Sequence, residues 1–97
     1  MKYLAIDASL GGTGIRDMYS GGYIDPKDLL LSPVISNYIQ DWLHRYNEAH
    51  YDGFSDQQIV QELDLEGREI AYAVKAELVD VKMEYFSDAK MEKENID

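Results

Sequence analysis

Ser32-Pro33 stands directly before a run in which Ile35, Ile39, Trp42, Leu43 and Tyr46 recur at three- and four-residue spacing. No other feature constrains the fold as much. A serine hydroxyl can accept from the free amides of a helix start, and proline fits the first helical position. The spacing gathers the apolar side chains on one face, so an amphipathic helix is predicted over 33–50. Asn37, Asp41, Arg45 and Glu48 lie off that stripe and are expected to face water. Such a helix needs something to cover its apolar face. Val79, Val81, Met83 and Tyr85 alternate with Asp80, Lys82 and Glu84, the pattern of a half-buried strand over 79–86. Tyr3 to Ile6 is a second, shorter strand, ended by Asp7.

The segments between are less regular. Gly11, Gly12, Gly14, Gly21 and Gly22 predict turns or a loose loop, with Ile15–Tyr19 a strand or one helical turn among them. Asp25-Pro26 opens a turn or short helix, and Tyr51-Asp52-Gly53 is a break. Ser55, with Gln58 three residues on, has the pattern of a capping box. Residues 56–63 suit a helix through Ile59, Val60 and Leu63, but Ile59, Gln61 and Leu63 also alternate. From Asp64 to Leu78 a helix places Ile70, Val74 and Leu78 on one face, Gly67 allowing close approach, with Leu65 and Tyr72 opposite. Two strands alone are marginal, so a third is expected near 15–24 or 58–63. The expected fold is a small single-domain α+β structure over residues 1–87. Two or three helices pack on a short, mainly antiparallel sheet, and 88–97 is a polar tail expected to fray.

The chain carries 19 acidic residues against nine basic ones on 97 residues, a formal charge of −10. That charge repels nucleic acid and anionic membrane and attracts basic partners. It is uneven: residues 1–24 sum to zero, 25–54 to −3 and 55–97 to −7. Apolar residues at 45%, with eight tyrosines, exclude a disordered acidic tail. Cysteine is absent, which excludes disulfides and thiolate metal sites and suits a reducing cytoplasm. The amino terminus meets Asp7 after four apolar residues, so neither a signal peptide nor a membrane span is expected.

No catalytic set stands out. Gly11-Gly12-Thr13-Gly14 follows a strand, but no Gly-Lys-Ser/Thr follows it, and a flexible loop is the plainer reading. His44 and His50 are six apart and share no helical face for a metal. The carboxylate pairs (Asp25 and Asp28, Glu62 and Asp64, Glu66 and Glu69) fall on predicted helix surfaces with little room for a cleft. They read as a solvated face or a surface for a basic partner. Trp42 reads as a core anchor. Tyr72 is either an interface residue ringed by carboxylates or part of a helix packed on two sides.

Read together, several segments carry a resemblance. Gly22-Tyr23-Ile24-Asp25-Pro26-Lys27-Asp28-Leu29-Leu30-Leu31-Ser32-Pro33 is followed by Trp42, Tyr46, Gly53-Phe54-Ser55 and Glu66-Gly67-Arg68-Glu69-Ile70-Ala71. Lys75-Ala76-Glu77-Leu78 and Val81-Lys82-Met83-Glu84-Tyr85-Phe86-Ser87 complete the set. This order, over roughly residues 22–87, resembles immunity proteins of bacterial polymorphic toxin and contact-dependent growth inhibition systems. Residues 1–21 depart from that pattern. The resemblance implies a cytoplasmic, non-enzymatic protein that binds the C-terminal domain of a cognate toxin, often a nuclease. It implies no cofactor and no metal, and it supplies no contact residues.

Charge and resemblance converge on an inhibitor that presents carboxylates to a basic toxin domain. From predicted exposure and charge, the candidate contacts are Asp41, Glu48, Asp52, Asp56, Glu62, Asp64, Glu66, Glu69 and Tyr72. The alternative is an acidic nucleic-acid mimic that inhibits a DNA-binding or restriction-type protein. A small carboxylate enzyme built around the glycine loop, or a structural adaptor, are further rivals.

Overall fold

Two strands, β1 (Lys2–Asp7) and β3 (Val81–Ser87), lie side by side at the centre of the sheet. They are parallel, with Lys2 opposite Val81 and Asp7 opposite Phe86. The computed structural model describes residues 1–97. Between β1 and β3 the chain forms β2 (Ile15–Asp17), a 3-10 turn (Pro26–Leu29), α1 (Pro33–Tyr51) and α2 (Gln57–Leu78). A crossover this long lets β3 return parallel to β1. β2 and β4 (Glu92–Ile96) add antiparallel edges, giving the order β2-β1-β3-β4. The fold is α+β, two helices packed on a four-stranded mixed sheet.

The helix starts as its sequence predicts. Ser32 Oγ accepts from the Ile35 amide at 3.3 Å, and Pro33 occupies the first turn. The ambiguity over 56–63 resolves into one continuous helix. Val60, Leu63, Asp64, Gly67, Ile70, Ala71 and Val74 form a single buried row along α2, so a strand at 58–63 would have broken that seam. Its cap is Asp56, which accepts from the Gln58 and Ile59 amides, while Ser55 turns back to Asp52. Gly67 lies against the Tyr85 ring, where a Cβ would collide with it.

Two boundaries differ from expectation. Val79 does not begin the strand: it is 81% exposed at φ 65°, ψ −63°. Asp80 N donates to Leu78 O at 2.7 Å, closing a γ-turn of the rarer, strained hand. The expected fraying tail is also corrected, because Glu92–Ile96 pairs with β3 from Ser87↔Glu92 to Met83↔Ile96. Ile96 enters the core, and Lys75 Nζ donates to the Ile96 carbonyl at 2.9 Å. Its polar neighbours suit an edge strand, which charge protects against pairing with other chains.

The core lies between the helices and the inward face of the sheet. Leu4, Ile6, Ile15, Met83 and Tyr85 meet Ile39, Trp42, Tyr46, Ile70 and Val74 in one cluster. Each large apolar side chain buried completely contributes roughly 1.5–3 kcal/mol, so this cluster dominates the stability. Trp42, fully buried, packs on Tyr46 and Tyr85 and donates Nε1–H to the Leu63 carbonyl at 2.8 Å. The outward face of the sheet carries no helix.

Candidate functional site: an acidic trough between two helices

The loop joining α1 to α2 is short and turns sharply. Gly53 and Phe54 both take positive φ, 71° and 53°. That is strained for phenylalanine, and it seats the Phe54 ring edge-on against Tyr46 and His50. The turn sets the end of α1 beside the start of α2. Arg45, Glu48 and Ala49 on α1 and its C-cap Asp52 form a row at spacings of three, four and seven, and Ile59, Glu62, Leu63 and Glu66 repeat that spacing on α2. The two rows face each other across a trough of about 390 Å³, whose remaining lining is Phe54, Ser55 and Asp56. Its floor is apolar, from Ala49, Phe54 and buried Leu63, and the 46% exposed Ile59 adds apolar surface to the lining.

The charges in the trough are lopsided. Five carboxylates face one guanidinium, and that guanidinium is committed. Arg45 Nη1 and Nη2 donate to Glu66 Oε2 and Oε1, both at 2.7 Å, and Nε donates to Asp41 at 3.0 Å. These paired bonds hold the Glu66 carboxyl below its usual range and raise the Arg45 guanidinium. The other end has no cation of comparable strength. Glu48 meets only exposed His44, at 2.7 Å. Asp52 accepts from Ser55 at 2.6 Å, Asp56 caps α2, and exposed Glu62 is without an ion pair or a side-chain hydrogen bond.

Of the nine candidate contacts, Glu48, Asp52, Asp56, Glu62 and Glu66 thus converge on one feature. Asp41 sits beside it through Arg45. Glu69 and Tyr72 lie further along α2 on an exposed stripe with Leu65, and Tyr72 is 55% exposed, so α2 is not packed on two sides there. Asp64 is a correction: it is fully buried and presents nothing to a partner. Its carboxylate accepts from Tyr46 Oη at 2.9 Å, Tyr85 Oη at 2.6 Å and Ser87 Oγ at 2.8 Å. Its place in the buried row of α2, four residues after Val60, decided its position over its charge.

The sequence also left a second polar cluster unread, on the uncovered face of the sheet. Asp7, nearly fully buried, accepts from Arg16 Nε at 2.7 Å, Tyr23 Oη at 3.0 Å and the Ser9 amide at 3.2 Å. The bond to Asp7 raises the Arg16 guanidinium, which lies 4.5 Å from the Tyr23 ring centroid. Glu84, also buried, accepts from Tyr3 Oη at 2.5 Å, and that bond raises the Tyr3 phenol. Cross-strand pairing of Ala5 with Arg16 and Glu84 sets Asp7, Arg16 and Glu84 around a hollow of about 220 Å³. An acid closing a strand, with arginine nine residues on, was the available signal.

No three His, Cys, Asp or Glu side chains are placed to hold a metal ion, and no helix is long and apolar enough to cross a membrane. The class defined by fold and site is thus a two-helix, four-stranded α+β domain with an acidic, apolar-floored trough on its helical layer. No protein-family model, curated protein or solved structure matches the chain.

Proposed function

We propose that this protein is a cytoplasmic, non-catalytic immunity protein that binds and neutralises the basic C-terminal domain of a cognate toxin, a nuclease by the sequence resemblance. One observation carries the reading: five carboxylates gather around one apolar-floored trough, and only Glu66 among them is matched by a guanidinium. Apolar floor and charged rim together are the anatomy of a protein interface. Toxin nucleases hold phosphates with basic grooves, and a field of carboxylates speeds encounter with such a groove. The nucleic-acid mimic shares the charge but has less use for the floor, since duplex DNA presents a regular row of phosphates.

The test is direct. The purified protein is mixed with the basic toxin domain encoded beside it, and complex formation and residual toxin activity are measured. A stable complex with lost activity is expected. No complex with undiminished activity ends the reading, and inhibition of several unrelated DNA-binding proteins transfers it to the mimic.

A further inference from the structure

The trough differs from an open interhelical groove because both of its ends are closed. At one end the Arg45–Glu66 pair, with both N···O distances 2.7 Å, bridges α1 to α2. At the other the loop that joins the helices lines the trough with Phe54, Ser55 and Asp56. Each wall spans seven residues, about 10 Å at ~1.5 Å per residue. A helix or strand laid lengthwise would collide with the bridge or the loop. What fits is a single long side chain entering from above.

The lining states which kind. Ala49, Phe54, Ile59 and Leu63 offer apolar surface to a methylene stem. Glu48, Asp52 and Glu62 stand on both walls above it, without a strong cation of their own. Acceptors on two sides suit a planar head with several donors and weak hydration, which is guanidinium more than ammonium. The volume, about 390 Å³, lies at the lower end of the roughly 300–1,000 Å³ typical of ligand pockets.

We infer that the trough is the receptor for one protruding arginine side chain of the protein partner, its stem against Phe54, Leu63 and the exposed Ile59 and its guanidinium between the Glu48 and Glu62 walls. The inference rests on the inhibitor reading for its partner, but the trough itself is testable alone. Arg45 is then a positioning residue: by holding Glu66 it closes the end and keeps its own charge away from the incoming cation.

The experiment is a titration of the isotope-labelled full chain with N-acetyl-arginine-N-methylamide, followed by amide NMR shifts. The lysine and norleucine analogues are run in parallel. Saturable shifts confined to 45–66 are expected, with lysine weaker and norleucine silent. Glu62→Gln is expected to weaken binding about threefold, the size of one solvent-accessible charge contact. Ile59→Lys, at a half-exposed position where folding is retained, is expected to abolish it. Asp28→Asn, the same charge change on the remote 3-10 turn, should leave it unchanged. Shifts spread over every acidic surface, a lysine probe that binds as tightly, or an unaffected Ile59→Lys would each overturn the assignment. If the toxin domain binds and Ile59→Lys neutralises it as well as the parent, the trough inference fails while the inhibitor reading stands. If the arginine probe binds but no toxin domain does, the failure is reversed.

Discussion

The covered interior and open face of the sheet hold carboxylates whose charge is answered within the chain, whereas in the helical trough only Glu66 is so answered and the other four carboxylates are not. Asp7 has Arg16 and Tyr23, Glu84 has Tyr3, and Asp64 has three hydroxyls. Glu48, Asp52, Asp56 and Glu62 have at most a neighbouring hydroxyl, an exposed histidine or a helix start. The same residue type therefore does two jobs. Where water is excluded, an acid persists only with partners aimed at it, and it binds elements together. Where water is present, it needs none and remains free for another molecule.

The sharpest way to break this comparison is Asp64→Ala. It strips the shared acceptor from Tyr46, Tyr85 and Ser87, which join α1, α2 and β3. A loss of at least ~3 kcal/mol is expected, since each buried hydroxyl left unpaired costs roughly 1–3 kcal/mol. Urea denaturation measures it, and a loss below ~1 kcal/mol would mean the interior acids are not structural.

Next in size is the response to base. Burial pushes the Tyr46 phenol up to about 12, and burial with the bond to Asp64 lifts Tyr85 further still. An unfolded tyrosine titrates near ~10, so these two stabilise the fold fully below that value. Their contribution drains away as pH rises from ~10 through the folded values. Tyrosinate absorbance followed alongside circular dichroism should show two phenols titrating only as the fold is lost. Early titration of all eight would contradict their burial.

Asp7→Ala should cost about 2 kcal/mol, because it leaves Arg16 and Tyr23 without their common acceptor in a part-buried setting. Thermal unfolding distinguishes this from a solvated acid. Smallest of all, Glu48→Gln with Glu62→Gln should change stability by no more than ~0.5 kcal/mol while lowering partner affinity and its salt dependence. A large stability change there would erase the distinction between the two regions. On the acid side, the bonds to Arg45 hold the Glu66 carboxyl below its usual range. It stabilises the fold above the usual glutamate value near ~4.3, and that contribution disappears as pH falls through the lowered one. Arg45→Met should therefore flatten the acid limb of a stability–pH curve.

Much of this architecture was legible where local chemistry and long-range packing agree. The Ser32-Pro33 start and the stripe through Trp42 and Tyr46 need only helical geometry, and α1 follows them. The strand around Met83 and Tyr85 was legible by alternation, though Val79 turned instead of pairing. β4 was opaque because an edge strand is mostly polar, and Ile96 alone marks its buried side. Asp64 reads as surface charge by residue type, but its position in the α2 row puts it in the core. Five trough acids were legible as exposed charge, and each wall can be read as a helical row.

By itself, then, the amino-acid order determined the long helices, the central strands, the location of the negative charge and the identity of the core rings. These follow from periodicity and capping, which act within a few residues. Only the tertiary structure decided which carboxylates are answered internally and which are left open. That depends on what a side chain meets across the fold: Arg45 reaches Glu66 because the Gly53–Phe54 turn folds α2 back on α1, and Asp64 meets Tyr85 because β3 returns beneath both. Contacts between residues so far apart in the chain leave no local pattern, because the energy that selects them is gained only when the helices and sheet close on one another.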